Sequence, residues 1–197
     1  MSISDLERAE TDRANRAARL RPGPREGRIA EILRVDHAGE YGAVAIYRGQ
    51  KAVFGALPHK ARTASLIQEM EDGEEAHLEA FDRLLAERGV RPTILSPLWN
   101  VAGFALGAAS ALVGEKAAMA TTEAVEDVIE DHYGRQAEEL KIVDPALAET
   151  VRQFREDELG HKHTATEEGA KDAPGYGLFS ALIGAGCRAA IKVAEKI

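Results

Sequence analysis

Four stretches of this sequence set a glutamate into the apolar face of a helix, and two of them add a histidine three residues on. Around GEEAHLEAF (73–81), Ile67, Met70, Glu74, His77, Phe81 and Leu84 recur in steps of three and four, which is one helix face. Leu147, Val151, Phe154, Glu158, His161 and Ala165 repeat the design. Two further stripes carry a lone glutamate: Leu33, Glu40, Ala43, Tyr47 and Phe54, and Met119, Glu126, Ile129, Tyr133 and Leu140. Glu40 precedes the first Glu-x-x-His by about the interval that separates Glu126 from the second, so the chain reads as duplicated helical hairpins.

An apolar face points at a core, and one uncompensated carboxylate there costs several kcal/mol. Four converging carboxylates must be protonated, paired with basic residues, or bound to cations. The stripes offer no lysine or arginine. Two divalent metals would balance four carboxylates, and two neutral imidazoles would complete the donor set. One glutamate from each of two helices plus Glu-x-x-His from each of two others is the pattern of carboxylate-bridged di-iron and di-manganese bundles. Mixed oxygen and nitrogen donors suit iron or manganese better than calcium or magnesium. The candidate ligands are Glu40, Glu74, His77, Glu126, Glu158 and His161, for two iron ions per chain, with manganese the lesser alternative. A lone Glu-x-x-His is usually a solvated pair; here four helices carry the set in phase with their apolar stripes. Glu71, Glu75, Glu79, Glu123, Glu130 and Glu156 fall off the stripes and are expected in solvent, as are His59 and His163. His37 and His132, near the lone glutamates, read either as hydrogen-bond donors to them or as hydrogen-bonded core residues.

The rest of the chain also reads as helix, giving an all-α fold. Residues 1–26 form a polar arm of mixed charge, ending at the breaker run Arg-Pro-Gly-Pro (21–24), and residues 27–197 form the folded domain. Helices are expected over about 27–55, 59–88, 115–141 and 145–169, the second stopped by Gly89 with Pro92 beyond. Between the hairpins, residues 92–114 (PTILSPLWNVAGFALGAASALVG) contain no charge. That length can cross a bilayer, but Pro97, Asn100 and the glycines favour a buried or membrane-surface segment instead. Gly103 and Gly107 have the GxxxG spacing that permits close helix packing. After Pro174, Arg188, Lys192 and Lys196 share one face of an otherwise apolar helix. Such a helix either lies among lipid headgroups or closes the bundle with a solvated basic edge. The net charge of -8 argues against nucleic acid as a partner. The single cysteine, Cys187, excludes an internal disulfide and any all-cysteine metal site, and fits a reducing compartment. No Gly-rich dinucleotide fingerprint or phosphate loop is present, and the N-terminus has no secretory h-region.

RVDHAGEYGA (34–43), RPTILSPLWNVAGFALGA (91–108), REDELGH (155–161) and AGCRAAI (185–191) resemble the demethoxyubiquinone hydroxylases of ubiquinone biosynthesis, from about residue 29 to the C-terminus. The resemblance implies a ferritin-like four-helix bundle with an apolar crossover helix and a C-terminal amphipathic helix. It implies that Glu40 and His77 ligate one iron, Glu126 and His161 the other, and that Glu74 and Glu158 bridge both. It links His132, Tyr133 and Arg188 to quinone binding or electron passage. The implied reaction is O2-dependent ring hydroxylation of a polyprenyl methoxy-benzoquinol, with an external electron donor or the quinol itself supplying electrons. A lipid-soluble quinol calls for a peripheral membrane protein, on the cytoplasmic face of a bacterial membrane or the matrix side of the mitochondrial inner membrane. A partner protein that presents the lipid is part of the same expectation. Two other readings stay open: a ferroxidase or iron-storage bundle, and a metal-free membrane scaffold.

Overall fold

A computed structural model describes residues 23–196; of the expected arm, residues 1–22 lie outside the described residues. Six α-helices run in chain order among the described residues: α1 (Pro24–Phe54), α2 (Ala61–Arg88), α3 (Ser96–Val113), α4 (Glu115–Val143), α5 (Pro145–Glu167) and α6 (Tyr176–Ala194). No strand occurs among the described residues. α1 starts three residues earlier than the sequence suggests, because Pro24 stands in its first turn, where a missing N–H costs nothing. Gly89 stops α2 in the left-handed conformation (φ 63°), and Val90 N–H bonds back to the Leu85 carbonyl. The Asp144 side chain accepts from Leu147 N–H at 3.1 Å, so α5 begins one residue after α4 breaks.

The bundle is ferritin-like. α1 and α2 are antiparallel, with His37 facing Asp82 and Lys51 facing Gln68. α4 is also antiparallel to α1, since Tyr47 meets Glu126 while Tyr133 meets Glu40. α2 and α4 therefore run the same way, and a crossover is required between them. α3 supplies it, lying parallel to α1 on the bundle's outer side.

The α1–α3 contact is backbone on backbone. A Cβ on Gly107 would overlap the Ile46 carbonyl, its carbon only 2.8 Å away, and one on Gly103 would lie 2.7 Å from Gly42 O. Gly49 of α1 meets Phe104 and Ala108 in the same way. The GxxxG spacing thus does here what it does between membrane helices. α6 packs on α4 as α3 packs on α1, so the duplication covers three helices in each half rather than two. Two large clusters of apolar side chains fill the bundle, beside a small third of Val35, Ala38 and Ala194. Ile32, Leu33, Phe81, Leu85, Leu140, Leu147 and Val151 form one, and Phe54, Ile67, Met70, Met119 and Ala165 the other. On each bundle helix the glutamate of the stripe falls between them.

Gly107→Ala should destabilise the protein by roughly 1–3 kcal/mol, because the overlapped atom is backbone. In a chain of this size that lowers the thermal midpoint by about 2–12 °C. Gly27→Ala, which meets nothing within 4 Å, should leave it unchanged or slightly raised, as circular dichroism melts will show.

Candidate metal centre

The four stripes converge. Glu40, Glu74, Glu126 and Glu158 are at most 1% exposed and face one another across the bundle axis. Ligand-type atoms of Glu40, Glu74, His77 and Glu158 lie within 4.8 Å of one another, as do those of Glu74, Glu126, Glu158 and His161. Glu74 and Glu158 belong to both sets. His77 Nδ1 is 3.3 Å from Glu158, 3.7 Å from Glu40 and 3.9 Å from Glu74. His161 Nδ1 is 2.8 Å from Glu74 and 3.5 Å from Glu158. Among the described residues no lysine or arginine pairs with these four carboxylates; their only ion-pair partners are the two imidazoles.

The remaining hydrogen bonds define which atoms are free to bind something. Tyr133 O–H donates to Glu40 Oε1, and Tyr47 O–H to Glu126 Oε1 at 2.7 Å. One oxygen of each lone glutamate is thereby used. Left without a hydrogen-bond partner among the described residues are Glu40 Oε2, Glu126 Oε2, both oxygens of Glu74 and of Glu158, and Nδ1 of both histidines. These eight atoms divide into two equal sets: one glutamate oxygen, one imidazole nitrogen and one oxygen from each central carboxylate. Buried polar atoms do not otherwise stay unpaired, and carboxylate and imidazole donors gathered in this way are the kind that bundle metal sites use. The cluster can hold a metal.

Each imidazole is held from behind. His77 Nε2 faces Asp157 Oδ2 at 3.1 Å and its ring stacks on Phe154, an arrangement that fixes Nδ1 toward the carboxylates. His161 gains its place because residue 73 is glycine: a Cβ there would lie 3.1 Å from His161 Nε2.

The electrostatics without a cation are those of a shared-proton network. Burial, then the neighbouring carboxylates, push Glu74 and Glu126 well above the usual carboxylate range. Burial also works against charge on Glu158 and His77. The adjacent imidazoles of His161 and His77 nevertheless hold Glu158 low, and Glu158 and Glu40 raise His77 to about 11. Burial raises the Tyr47 and Tyr133 phenols, with Glu126 and Glu40 adding to it, so both remain donors.

Beside the cluster lies a cavity of about 310 Å³, walled by α1, α3, α4 and α6. Its lining is apolar apart from Asp36, His132, Tyr133 and the indole of Trp99. Tyr133 both lines the cavity and donates to Glu40, so one side chain separates the two sites. His132 faces the cavity and lies 2.9 Å from Gln136 Nε2, away from Glu126. His37 pairs with Asp82, not with Glu40; both histidines are hydrogen-bonded core residues. Arg188 is exposed on α6, outside both the cluster and the cavity lining. Glu79 and Glu156 are in solvent, with His59 and His163. Glu71 and Glu123 are not: Arg48 and Lys51 cover Glu71, and Tyr176 O–H donates to Glu123 at 2.8 Å. Glu75 and Glu130 are partly covered by Arg48 and Arg155. These partners sit on other helices, which a stripe on one helix does not reveal. The role of Tyr47 went unread for the same reason, although a signal existed: it follows Glu40 at the spacing by which Tyr133 follows Glu126.

The sequence profile of the ubiquinone biosynthesis protein COQ7 family matches residues 27–194. A Dictyostelium discoideum protein named NADPH-dependent 3-demethoxyubiquinone 3-hydroxylase, mitochondrial, is 49% identical over 172 residues, covering 86% of this chain and 77% of that protein. The Mus musculus protein of the same name is 46% identical over 189 residues, covering 94% and 81%. A Rhodospirillum rubrum protein named 3-demethoxyubiquinol 3-hydroxylase is 47% identical over 169 residues, covering 86% and 78%.

The pKa directions fix a pH trend for metal-free protein. Glu74 and Glu126, raised by burial, and His77, raised by its carboxylate partners, bind protons more tightly folded than unfolded. Their contribution is fully present below the unfolded values and is lost as pH rises through the folded ones. Glu158 acts oppositely, but its window lies on the acid side, below the ordinary carboxylate value. The thermal midpoint of chelator-treated protein should therefore fall as pH rises from about 6.5 toward 9. Adding Mn(II) should raise the midpoint and flatten the slope.

Proposed function

The chain belongs to the ubiquinone biosynthesis protein COQ7 family, and on that premise we propose that it hydroxylates the ring of a polyprenyl methoxy-benzoquinol with O2 at a two-iron site. The observation that carries the reading is the set of eight unpartnered donor atoms buried between four helices. Glu40 and His77 would hold one ion, Glu126 and His161 the other, and Glu74 and Glu158 both. When bound, the irons supply O2 activation, with one oxygen atom entering the ring and the other leaving as water.

The chain's own residues supply the rest. Tyr47 and Tyr133 each occupy one carboxylate oxygen, which leaves Glu126 and Glu40 a single oxygen for the metal. The apolar cavity takes the ring, excludes water and sets it against Tyr133, beyond which the cluster lies. Two electrons beyond those O2 takes from the substrate carbon are needed. No nucleotide fingerprint provides a resident carrier, so they come from an external donor or from the quinol.

The prenyl tail explains α3 and α6. Both are long and apolar enough to cross a bilayer, yet only 22% and 11% of their windows are buried. Leu98, Val101, Phe104, Leu112 and Val113 of α3, with Leu178, Leu182 and Val193 of α6, are the greater part of the exposed large hydrophobics. Both helices line the cavity, so a tail leaving it would run along their apolar surface. α3 is packed along α1, a helix rich in charge, which supports a placement on the membrane rather than through it. Arg188, Lys192 and Lys196 would meet anionic headgroups at the edge of the same face. An iron-storage bundle has no use for such a surface. A lipid-presenting partner protein would dock over the same surface.

Iron-loaded protein given reductant, O2 and demethoxyubiquinol should form the hydroxylated quinol, followed by liquid chromatography. Glu158→Ala should reduce the rate to background; full activity in that variant would refute the site. Val101→Glu in α3 should weaken binding to anionic liposomes by tenfold or more, an order of magnitude set by the cost of burying a carboxylate in lipid. Its metal content should not change.

A further inference from the structure

The wall of the cavity carries a polar group that neither packing nor the metal cluster accounts for. Asp36 is 2% exposed and lines the cavity. Its Oδ1 accepts from Gln136 Nε2 at 2.8 Å and lies 3.4 Å from His132 Nε2. Its Oδ2 is buried with no partner. A carboxylate oxygen left bare in an apolar wall is costly unless something arrives to use it.

The internal duplication supplies a comparison within the chain. Asp36, Glu40, Tyr47 and Gln50 of α1 stand in register with Thr122, Glu126, Tyr133 and Gln136 of α4. Both tyrosines donate to the glutamate of the opposite helix. Both glutamines reach across too: Gln136 to Asp36, and Gln50 to the Ala118 carbonyl at 3.1 Å and Thr122 Oγ1 at 3.4 Å. One pair of facing positions breaks this pattern of reciprocal contacts. Asp36 of α1 faces His132 of α4, and the symmetry-related positions hold Thr122 of α4 and Ile46 of α1. Threonine and isoleucine therefore satisfy the packing at the equivalent spot, whereas Asp36 and His132 both line the cavity; Ile46 lines it too, and Thr122 does not.

We propose that Asp36, steadied by Gln136 and His132, selects the reduced form of the ring by accepting a hydrogen bond from a quinol hydroxyl at Oδ2. The inference rests on the function proposed above and adds the residue that reads the oxidation state. A quinone of the same skeleton offers carbonyl oxygens and no donor, so it would leave Oδ2 bare. Shape does not separate two nearly isosteric rings in an apolar cavity, whereas an unpaired buried polar group does. Burial pushes the Asp36 carboxyl upward, and His132 and Gln136 oppose it, which is why an acceptor here needs both neighbours. Binding the quinol in preference also keeps a bound oxidised ring from blocking the site.

The single tryptophan, Trp99, lines the same cavity and reports its occupancy. Manganese-loaded protein under nitrogen, which turns over neither ligand, is titrated with a short-prenyl demethoxyubiquinol analogue and separately with its quinone. Trp99 fluorescence is followed. The wild type should bind the quinol about tenfold more tightly, the value of one hydrogen bond to a charged acceptor. Asp36→Asn should bind both forms about equally, with quinone affinity changed by less than about twofold. Asp36→Thr, which installs the residue of the other half, should behave the same and serves should the first variant lose its helical circular dichroism. Equal binding of both forms by the wild type, or a preference that survives both variants, overturns the role of Asp36 while leaving the function standing. Failure of either form to perturb Trp99 overturns both.

Discussion

Four carboxylates buried together in a bundle core are the constraint to which the rest of this structure answers. One unpaired charge in such a place costs several kcal/mol, and a domain of this size is stable by only about 5–15 kcal/mol in total. The bundle cannot carry four such charges through packing alone. It answers with geometry. Two glutamates are each half-satisfied by a tyrosine from the opposite helix, two keep both oxygens free, and two imidazoles are turned inward by Asp157 and Phe154 on one side and by the space above Gly73 on the other. Every one of these devices leaves donor atoms directed at a common centre, and cations are what such an arrangement is fit to receive.

The duplication then divides labour. In both halves the first two helices build the cluster and the third packs on the first. The first half closes that seam with glycine-to-backbone contacts, while α6 meets α4 through larger, partly exposed side chains. The cavity lies where those four helices meet. The lining follows the same asymmetry, with Asp36 and His132 on the wall where the equivalent positions hold a threonine and an isoleucine. A symmetric set of buried donors with an apolar cavity beside it is what the proposed reaction on a lipid-dissolved ring requires.

Much of this was legible in the sequence, because a helical period turns spacing into direction. Glu40, Glu74, His77, Glu126, Glu158 and His161 could be aligned to a core before any coordinate was known, and Gly103 and Gly107 marked the tight seam. What escaped is what depends on relations between helices. Glu71 and Glu123 looked solvated because their partners, Arg48, Lys51 and Tyr176, lie on neighbouring elements. Nothing in the sequence singles out Asp36, since its burial is decided by a cavity wall drawn from four helices. Arg188 ended outside the site because its helix turns that face to solvent.

Elemental analysis of the protein purified from iron-supplemented cells tests the central claim most directly. The account requires about two irons per chain, the number that matches two donor sets sharing Glu74 and Glu158. A chain that folds fully, with its helices intact, and retains almost no metal under those conditions would show that the four buried acids are tolerated by protons alone, and the account would be wrong.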